Sequence, residues 1–293
     1  TQMATFGGNY QLNKEAFVSW EGAVSNNDVN TFSDKNSDDN VGYGFKMNAV
    51  QKIKLTKAKV PWKLNTGVDY EYVSQHFSSI ERFRTVEFTR DWNISTTTFS
   101  ADQHIMGAFL GVEKNKTKAL NYDVRVLNNR GEYDGIKNSI AAKYHYKGFK
   151  LNGDGSYLTT TGINNTQFLK HKLALTQQVK FMVLGVEEEV EQNKFFINAL
   201  SDTLQASSFN FERWRAYVQN ADTSINKFEL SYQERVDKFP VNTAFTTTTH
   251  AKDVVFLVGL LKNSKHQFRS KLTYRKLEIV DPTRIQQAPE ENV

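Results

Sequence analysis

The stretch that decides the fold is WKLNTGVDYEY, residues 62–72, in which apolar and polar side chains alternate. Its even positions hold Trp62, Leu64, Thr66, Val68, Tyr70 and Tyr72, and its odd positions hold Lys63, Asn65, Gly67, Asp69 and Glu71. Successive side chains of a β-strand point to opposite faces of the sheet. The stretch therefore predicts a strand with one apolar face and one aqueous face.

The same alternation recurs along the chain and predicts an all-β protein of about fourteen strands. The predicted strands are 9–22, 42–55, 62–74, 83–94, 103–114, 118–128, 133–146, 148–159, 167–178, 180–195, 208–219, 226–237, 252–262 and 266–280. Turns rich in Asn, Gly, Asp and Ser separate them, and two connectors, 26–40 and 198–207, are longer. Residues 184–196 are the best helix candidate, but the β-branched and aromatic residues around them favour a strand.

The predicted strands are about twice as long as the 5–6 residues typical of soluble sheets. A strand of about 10 residues rises about 33 Å, enough to cross the apolar band of an outer-membrane barrel when tilted. The longest apolar run, residues 254–261, is too short for a membrane-spanning helix. We therefore predict a long antiparallel up-and-down meander that forms all or part of an outer-membrane β-barrel. Residues 1–280 would be a single antiparallel domain, as a barrel or an extended sheet, and residues 281–293 a loose polar tail.

Composition excludes several classes of protein. The 293 residues contain no cysteine, so thiol chemistry, disulfides and iron–sulfur clusters are excluded. The formal net charge is only +5, and charges of both signs alternate along the chain, which argues against a nucleic-acid partner. The only lysine-rich stretch is residues 51–59.

The motifs of common enzyme classes are missing, and we expect no catalytic, cofactor-binding or metal-ligating residue. No two of the six histidines lie within five residues of each other. Glu187, Glu189 and Glu191 share one face and could form a carboxylate pair, as in a glycoside hydrolase. A polar strip paired with Lys or Arg across the sheet is the more economical interpretation.

Two segments resemble calcium-binding loops in part. The NGDGS run at 152–156 lacks the glutamate that an EF-hand needs at position twelve, where Ile163 stands. Asp34, Asn36 and Asp38 have ligand spacing, but Asp39 stands where the loop needs glycine. A strand and a surface loop, respectively, are the simpler interpretations, and weak calcium binding at 34–39 stays open.

Three blocks carry a family resemblance: AVSNNDVNTFS at 23–33, DYEYV at 69–73 continued by IERFRTVEFTRDWN at 80–93, and KLTYRKL at 271–277. Together they resemble an internal segment of very large, uncharacterised β-strand-rich outer-membrane and envelope proteins of the Bacteroidota. The resemblance implies a location in the cell envelope, and it allows the chain to be one piece of a longer protein. It transfers no functional residue.

Two interpretations of function follow. In the first, the chain is a non-enzymatic protein of the Gram-negative outer membrane that acts in transport, in secretion or as a scaffold. Its partners would be the lipid bilayer and either other envelope proteins or the remainder of a longer chain. Its working surface would be a charged lumen or docking face of Lys63, Asp69, Glu71, Arg82, Arg84, Asp123, Arg125, Lys143 and Lys147. In the second, it is a soluble β-sandwich that binds carbohydrate or protein. The two differ in where the apolar side chains go: toward lipid in a barrel, toward a second sheet in a sandwich.

Overall fold

A computed structural model describes residues 1–28, 39–94, 100–163, 165–221, 226–263 and 266–280. These residues form fourteen β-strands and one short helix, α1, Phe88–Asp91. The strands are β1 Gln2–Asn13, β2 Ala16–Asn26, β3 Val41–Lys54, β4 Lys63–Val73, β5 Gln103–Asn115, β6 Lys118–Asn129, β7 Tyr133–Tyr146, β8 Phe149–Gly162, β9 Thr166–Val179, β10 Met182–Phe195, β11 Phe209–Asn220, β12 Lys227–Val241, β13 Ala244–Asn263 and β14 His266–Ile279.

The strands follow one another in the sheet in the order of the sequence, from β1 to β14. The registered pairs β1–β2 to β5–β6 and β10–β11 to β13–β14 are all antiparallel. The prediction of an all-β, antiparallel, up-and-down meander of about fourteen strands is confirmed. In the described part of the chain, no helix is long and apolar enough to cross a membrane.

The predicted strand number is right although two of the predicted strands are wrong. Residues 9–22 are not one strand but the end of β1 and the start of β2, joined by a turn in which the Glu15 amide donates to Asn13 Oδ1 at 2.8 Å. Residues 83–94 are not a strand at all, and they contain α1. The prediction therefore omits one strand at 9–22 and adds one at 83–94, and the total of fourteen is unchanged.

Further sequence predictions concern residues 184–196, the start of β13, and the segments at 34–39 and 281–293. Residues 184–196 lie almost entirely in β10, so the strand interpretation is confirmed over the helix. β13 begins at Ala244, eight residues before the predicted start at 252, because a threonine-rich stretch pairs with the end of β12. The 34–38 part of the calcium candidate and the tail 281–293 lie outside the described residues.

The chain divides into two compact units. Unit 1 comprises Thr1–Ile140 and Tyr157–Gln167, and unit 2 comprises Ala141–Ser156 and Phe168–Val293. In unit 1 the largest buried apolar side chains include Trp92, Ile105, Leu127, Tyr133 and Leu158. Trp92 and Ile105 line a cavity together with charged residues, so this core lies on the side of the sheet that carries the charges.

Candidate functional site

The strand register of unit 1 collects the charged side chains on one face of the sheet, here called the charged face. Lys46 of β3 lies opposite Glu71 of β4, and Asn48 lies opposite Asp69. Asp69 lies opposite Gly107 of β5, which in turn lies opposite Arg125 of β6. The row from Asn48 to Arg125 thus crosses four strands without an apolar side chain, whereas the Lys46–Glu71 row continues into the buried Ile105 of β5.

Gly107 allows an ion pair to form across a whole strand. Asp69 and Arg125 belong to β4 and β6, yet Arg125 Nη2 lies 3.0 Å from Asp69 Oδ1. A Cβ at Gly107 would lie 2.5 Å from the same carboxylate oxygen. Any larger residue on the intervening strand would therefore occupy the space that the Asp69 carboxylate needs to reach Arg125.

The opposite face of unit 1 is apolar and exposed. Phe45, Val68 and Met106 occupy it at successive strands, and Val68 has 49% of its surface exposed. The other large apolar residues exposed on this face include Phe6, Tyr10, Trp20, Tyr43, Leu110, Leu120 and Tyr122. The half-buried charges and the exposed apolar side chains invert the arrangement of an ordinary soluble sheet.

Residues 74–94, between β4 and β5, lie over the charged face and are here called the cover segment. Its first turn is fixed to β3, since the Ser74 amide donates to the Tyr43 carbonyl at 2.9 Å and the Tyr43 amide donates to Ser74 Oγ at 2.8 Å. The Ser78 amide donates to Oγ of Ser25, a fully buried residue of β2. These bonds tie the start of the segment to two strands.

The other end of the cover segment is buried near β7 and the start of β9. Trp92 is only 4% exposed, and its carbonyl accepts a hydrogen bond from the Tyr133 hydroxyl. The Asn93 side chain donates to Thr166 Oγ1 at 2.9 Å. Fixed at both ends, the segment forms a structured cover and not a loose loop.

Arg84 fastens the middle of the cover segment to the sheet. Its Nε and Nη2 lie 2.8 and 2.7 Å from Glu71 Oε1, and its Nη1 donates to Gln103 Oε1 at 2.6 Å. The guanidinium also lies 4.4 Å from the ring centroid of Phe88 and 5.1 Å from that of Phe83. Both partners of the ion pair are less than one-fifth exposed, so water screens this pair less than a surface salt bridge.

Between the cover segment and the charged face lies a cavity of about 460 Å³. Five of the nine sequence-predicted site residues line it: Asp69, Glu71, Arg84, Asp123 and Arg125. The structure thus brings these five residues together at one cavity, and their role as a working surface stays a prediction.

The other four predicted residues lie elsewhere. Arg82 lines a neighbouring cavity of unit 1. Lys63 is exposed at the start of β4, outside the cavity lining. Lys143 and Lys147 belong to unit 2, where Lys147 occupies the turn after β7 with a φ of 45°.

The acidic and basic side chains that line the cavity are equal in number. Four acids line it, Asp69, Glu71, Asp91 and Asp123, and four bases, Lys46, Arg84, Arg125 and Lys137. Besides the pairs above, Arg125 Nε contacts Asp123 at 3.2 Å and Lys137 contacts Asp91 at 3.4 Å. The cavity lining therefore carries no net formal charge.

Sequence reasoning missed three of these residues, Lys46, Asp91 and Lys137. Lys46 and Lys137 stand at alternating positions of predicted strands, so the pattern that selected Asp69 would also have selected them. Asp91 was assigned to a strand that does not form. Only the position of the cover segment brings it to Lys137.

Unit 2 carries its own charged rows. Arg215 of β11 contacts Glu187 of β10 at 3.2 Å and Glu229 of β12, and Arg213 contacts Glu189. The interpretation of the glutamate run as a strip paired across the sheet is confirmed. Here too large apolar residues are exposed on the other face, among them Leu184, Val186, Leu230, Val254, Phe256 and Leu272.

The structure also places the remaining sequence candidate for chemistry that it describes, the run at 152–156. The run at 152–156 lies within β8, as the strand interpretation predicted, and Asn152 Oδ1 lies 2.9 Å from His145 Nε2. Among the residues described, no group of three or more acidic or histidine side chains is placed to hold a metal ion.

No protein-family model matches this sequence, and the chain matches no curated protein and no solved structure. The assignment of function therefore rests on the residues and their geometry.

The contact between Gly42 and the cover segment gives a first expectation. A Cβ at Gly42 would overlap backbone atoms of His76 and Phe77, which cannot move without shifting the segment. We expect Gly42→Ala to lower the free energy of unfolding by about 1–3 kcal/mol through overpacking. Gly44→Ala is the matched control, because its Cβ would lie 3.3 Å from the mobile end of the Phe77 ring. Equal effects of the two substitutions in a denaturant titration would contradict the close approach.

Removal of the Arg84 side chain gives a second expectation. We expect Arg84→Ala to destabilise the protein by about 2 kcal/mol, because it leaves Glu71 partly buried and unpaired. In the background of Glu71→Gln the same change should cost less, since no unpaired carboxylate remains. A double-mutant cycle by denaturant titration measures this coupling, and a coupling of zero would show that the pair does not hold the segment.

Proposed function

We propose that this chain is a non-enzymatic outer-membrane protein, the whole or part of a β-barrel, whose charged face lines an aqueous passage for small polar solutes. The cover segment would narrow that passage. The resemblance to envelope proteins of the Bacteroidota is consistent with a Gram-negative outer membrane.

The observation that carries the proposal is the exposure of the apolar face in each unit. An outer-membrane strand turns alternate side chains to lipid and to an aqueous lumen. Val68 in unit 1 and Leu230 in unit 2 are each 49% exposed, whereas the side chains of Asp69 and Glu71 on the charged face of unit 1 are less than one-fifth exposed. In a soluble sandwich the apolar residues would instead pack against a second sheet.

The length of the apolar band supports a membrane location. On β4 it runs over nine residues, from Leu64 to Tyr72, whose eight steps span about 27 Å along the strand. At a tilt of about 40° that is about 21 Å along the membrane normal, close to the ~25 Å band of outer-membrane barrels.

Aromatic residues mark a polar border of the band in unit 2. The rings of Trp214 and Tyr232 lie 5.2 Å apart, and the Trp214 indole N–H donates to Glu234 at 2.8 Å. Lys252 and His250 also contact Glu234, at 3.4 and 2.6 Å. An aromatic residue with a wet polar partner beside an apolar band is typical of a membrane–water interface.

Transport is favoured over secretion or scaffolding by the cavity under the cover segment. Its four acidic and four basic side chains would interact with polar solutes while presenting no net charge to them. Loops that partly fill a polar interior are a recurring means of restricting passage through barrels. The chemistry is passage and selection, so the expectation that the protein is not an enzyme remains part of the proposal.

Fractionation of the native protein tests the proposal. Isolated cell envelopes are washed with alkaline carbonate, and the pellet is examined for the chain and for heat-modifiable mobility on a gel. We expect retention in the pellet, release only by detergent, and a mobility shift on boiling. Release into the wash would overturn the proposal and favour the soluble sandwich, whose apolar face a partner would then have to cover.

A further inference from the structure

One end of unit 1 concentrates most of its lysines. Three connectors meet there: residues 14–15 between β1 and β2, 55–62 between β3 and β4, and 116–117 between β5 and β6. With the adjoining strand ends they carry Lys14, Lys52, Lys54, Lys57, Lys59, Lys63, Lys114, Lys116 and Lys118, against Glu15 and Glu113. Nine lysines less two glutamates give +7, more than the +5 of the whole chain.

These lysines are largely exposed and only partly neutralised. Lys54 contacts Glu15 at 3.2 Å, with 63% of the lysine side chain exposed. In the register, Lys63 lies between Lys54 of β3 and Glu113 of β5, so one of its two cross-strand neighbours is a like charge and the other an opposite one. Lys54 and Lys63 lie on the charged face, so the lysines that a lipid headgroup can reach are those of the turns and Lys114 beside Trp62.

Apolar residues lie among the lysines. Ile53, Leu55 and Val60 are 43%, 50% and 47% exposed, and the Lys114 ammonium lies 5.9 Å from the Trp62 ring centroid. Ile53 lies opposite Leu64, so the apolar face continues to this end of the sheet. Exposed lysines, a tryptophan and aliphatic side chains at the end of an apolar band are the composition of a surface that contacts the headgroup region of a bilayer.

We propose that this lysine-rich end binds the phosphate groups of anionic phospholipids. The inference rests on the proposed membrane location, and it names anionic phospholipid as the ligand of the lysine-rich end of unit 1. Lys57, Lys59 and Lys116 lie in the turns, and Lys114 lies beside Trp62. Their flexible stems let the ammonium groups reach lipid phosphates while the indole lies at the membrane interface.

The connector lengths indicate which leaflet is involved. The connectors at the lysine-rich end of unit 1 have two, eight and two residues, whereas those at the opposite end include residues 27–40 and 74–102. Outer-membrane barrels have short turns on the periplasmic side and longer loops outside. The lysine-rich end would therefore face the periplasmic leaflet, which consists of phospholipids.

Lipid quenching of Trp62 tests the inference. A variant that keeps only Trp62, with the other three tryptophans changed to Phe, is reconstituted in mixed phosphatidylcholine and phosphatidylglycerol vesicles. Bromine is placed on the acyl chains of one lipid at a time, at equal mole fraction. We expect the local ratio of phosphatidylglycerol to phosphatidylcholine around Trp62 to exceed the bulk ratio by at least about threefold. A variant that keeps only Trp20, within the apolar band, should report the bulk ratio.

Lysine substitutions supply the matched control. The variant K57Q/K59Q/K114Q/K116Q should lose the enrichment, whereas K172Q/K194Q/K271Q/K276Q, which removes the same charge from unit 2, should keep it. Equal quenching of Trp62 by both brominated lipids would overturn the headgroup site, leave membrane insertion intact and direct the search to an acidic protein. If neither brominated lipid quenched Trp20, the result would instead contradict the proposed function.

Discussion

Arginine on the apolar face, as Val68→Arg in unit 1 or Leu230→Arg in unit 2, should lower the free energy of unfolding from lipid vesicles by about 2–4 kcal/mol. Each position lies within the apolar band and is about half exposed. If that exposure is to lipid, the guanidinium must leave water to reach hydrocarbon. The change in the free energy of unfolding is measured by denaturing the vesicle-reconstituted protein with guanidinium chloride and following the heat-modifiable gel band.

Two controls separate lipid exposure from local packing. Val68→Ile keeps the position apolar and should change the free energy of unfolding by less than about 1 kcal/mol. Asn121→Arg places the same charge at an exposed position in register with the charged face and should be tolerated within about 0.5 kcal/mol. If Val68→Arg and Leu230→Arg were tolerated equally well, the apolar face would be in contact with water and the membrane assignment would be contradicted.

Removal of the cover segment should have the largest effect on function. We expect replacement of residues 77–91 by a short Gly/Ser linker to raise the flux of a small neutral sugar, such as arabinose, severalfold in a liposome-swelling assay. The change removes Arg84 and the side chains of Phe83 and Phe88 from the cavity lining. Asp69, Asp123 and Arg125 of the charged face remain and would line a wider opening.

A loop of unit 2 provides the control for that experiment. The connector between β10 and β11 is also long, and Leu200 at its tip is fully exposed. Shortening it across residues 198–203 should leave sugar flux unchanged. Heat-modifiable mobility would show that both shortened proteins fold. Unchanged flux in the folded variant without the cover segment would mean that the segment does not restrict a passage.

Alternation in single strands was enough to predict the fold class and most of the charged face. Asp69, Glu71, Asp123 and Arg125 were assigned to it because each stands at a polar position of a strand with an apolar opposite face. The register then brings them together without further information, since neighbouring antiparallel strands align like faces.

The cover segment could not be predicted from local pattern. Phe83, Phe88 and Trp92 are the aromatic residues that a strand also favours, and charged residues separate them as in the true strands. Tertiary contacts distinguish the segment from a strand. Trp92 is buried beside Tyr133, and Arg84 pairs with Glu71. These partners lie 41 and 13 residues away in sequence.

The first hairpin was missed for a different reason. Its turn, at Lys14 and Glu15, contains neither glycine nor proline, and the side chain of Asn13 organises it. The alternation runs from β1 into β2 almost without interruption, so a pattern of period two records no boundary there. The reversal of the chain is visible only in the pairing of β1 with β2, for example of Tyr10 with Val18.

The position of two tryptophans relative to the bilayer tests the central claim most directly. Trp20 lies on the apolar face with 42% of its surface exposed, whereas Trp92, near the end of the cover segment, is 4% exposed. Single-tryptophan variants are reconstituted in vesicles whose lipids carry bromine on the acyl chains. We expect strong quenching of Trp20 and almost none of Trp92. Absence of quenching at Trp20 would show that the apolar face does not meet lipid and would contradict the account.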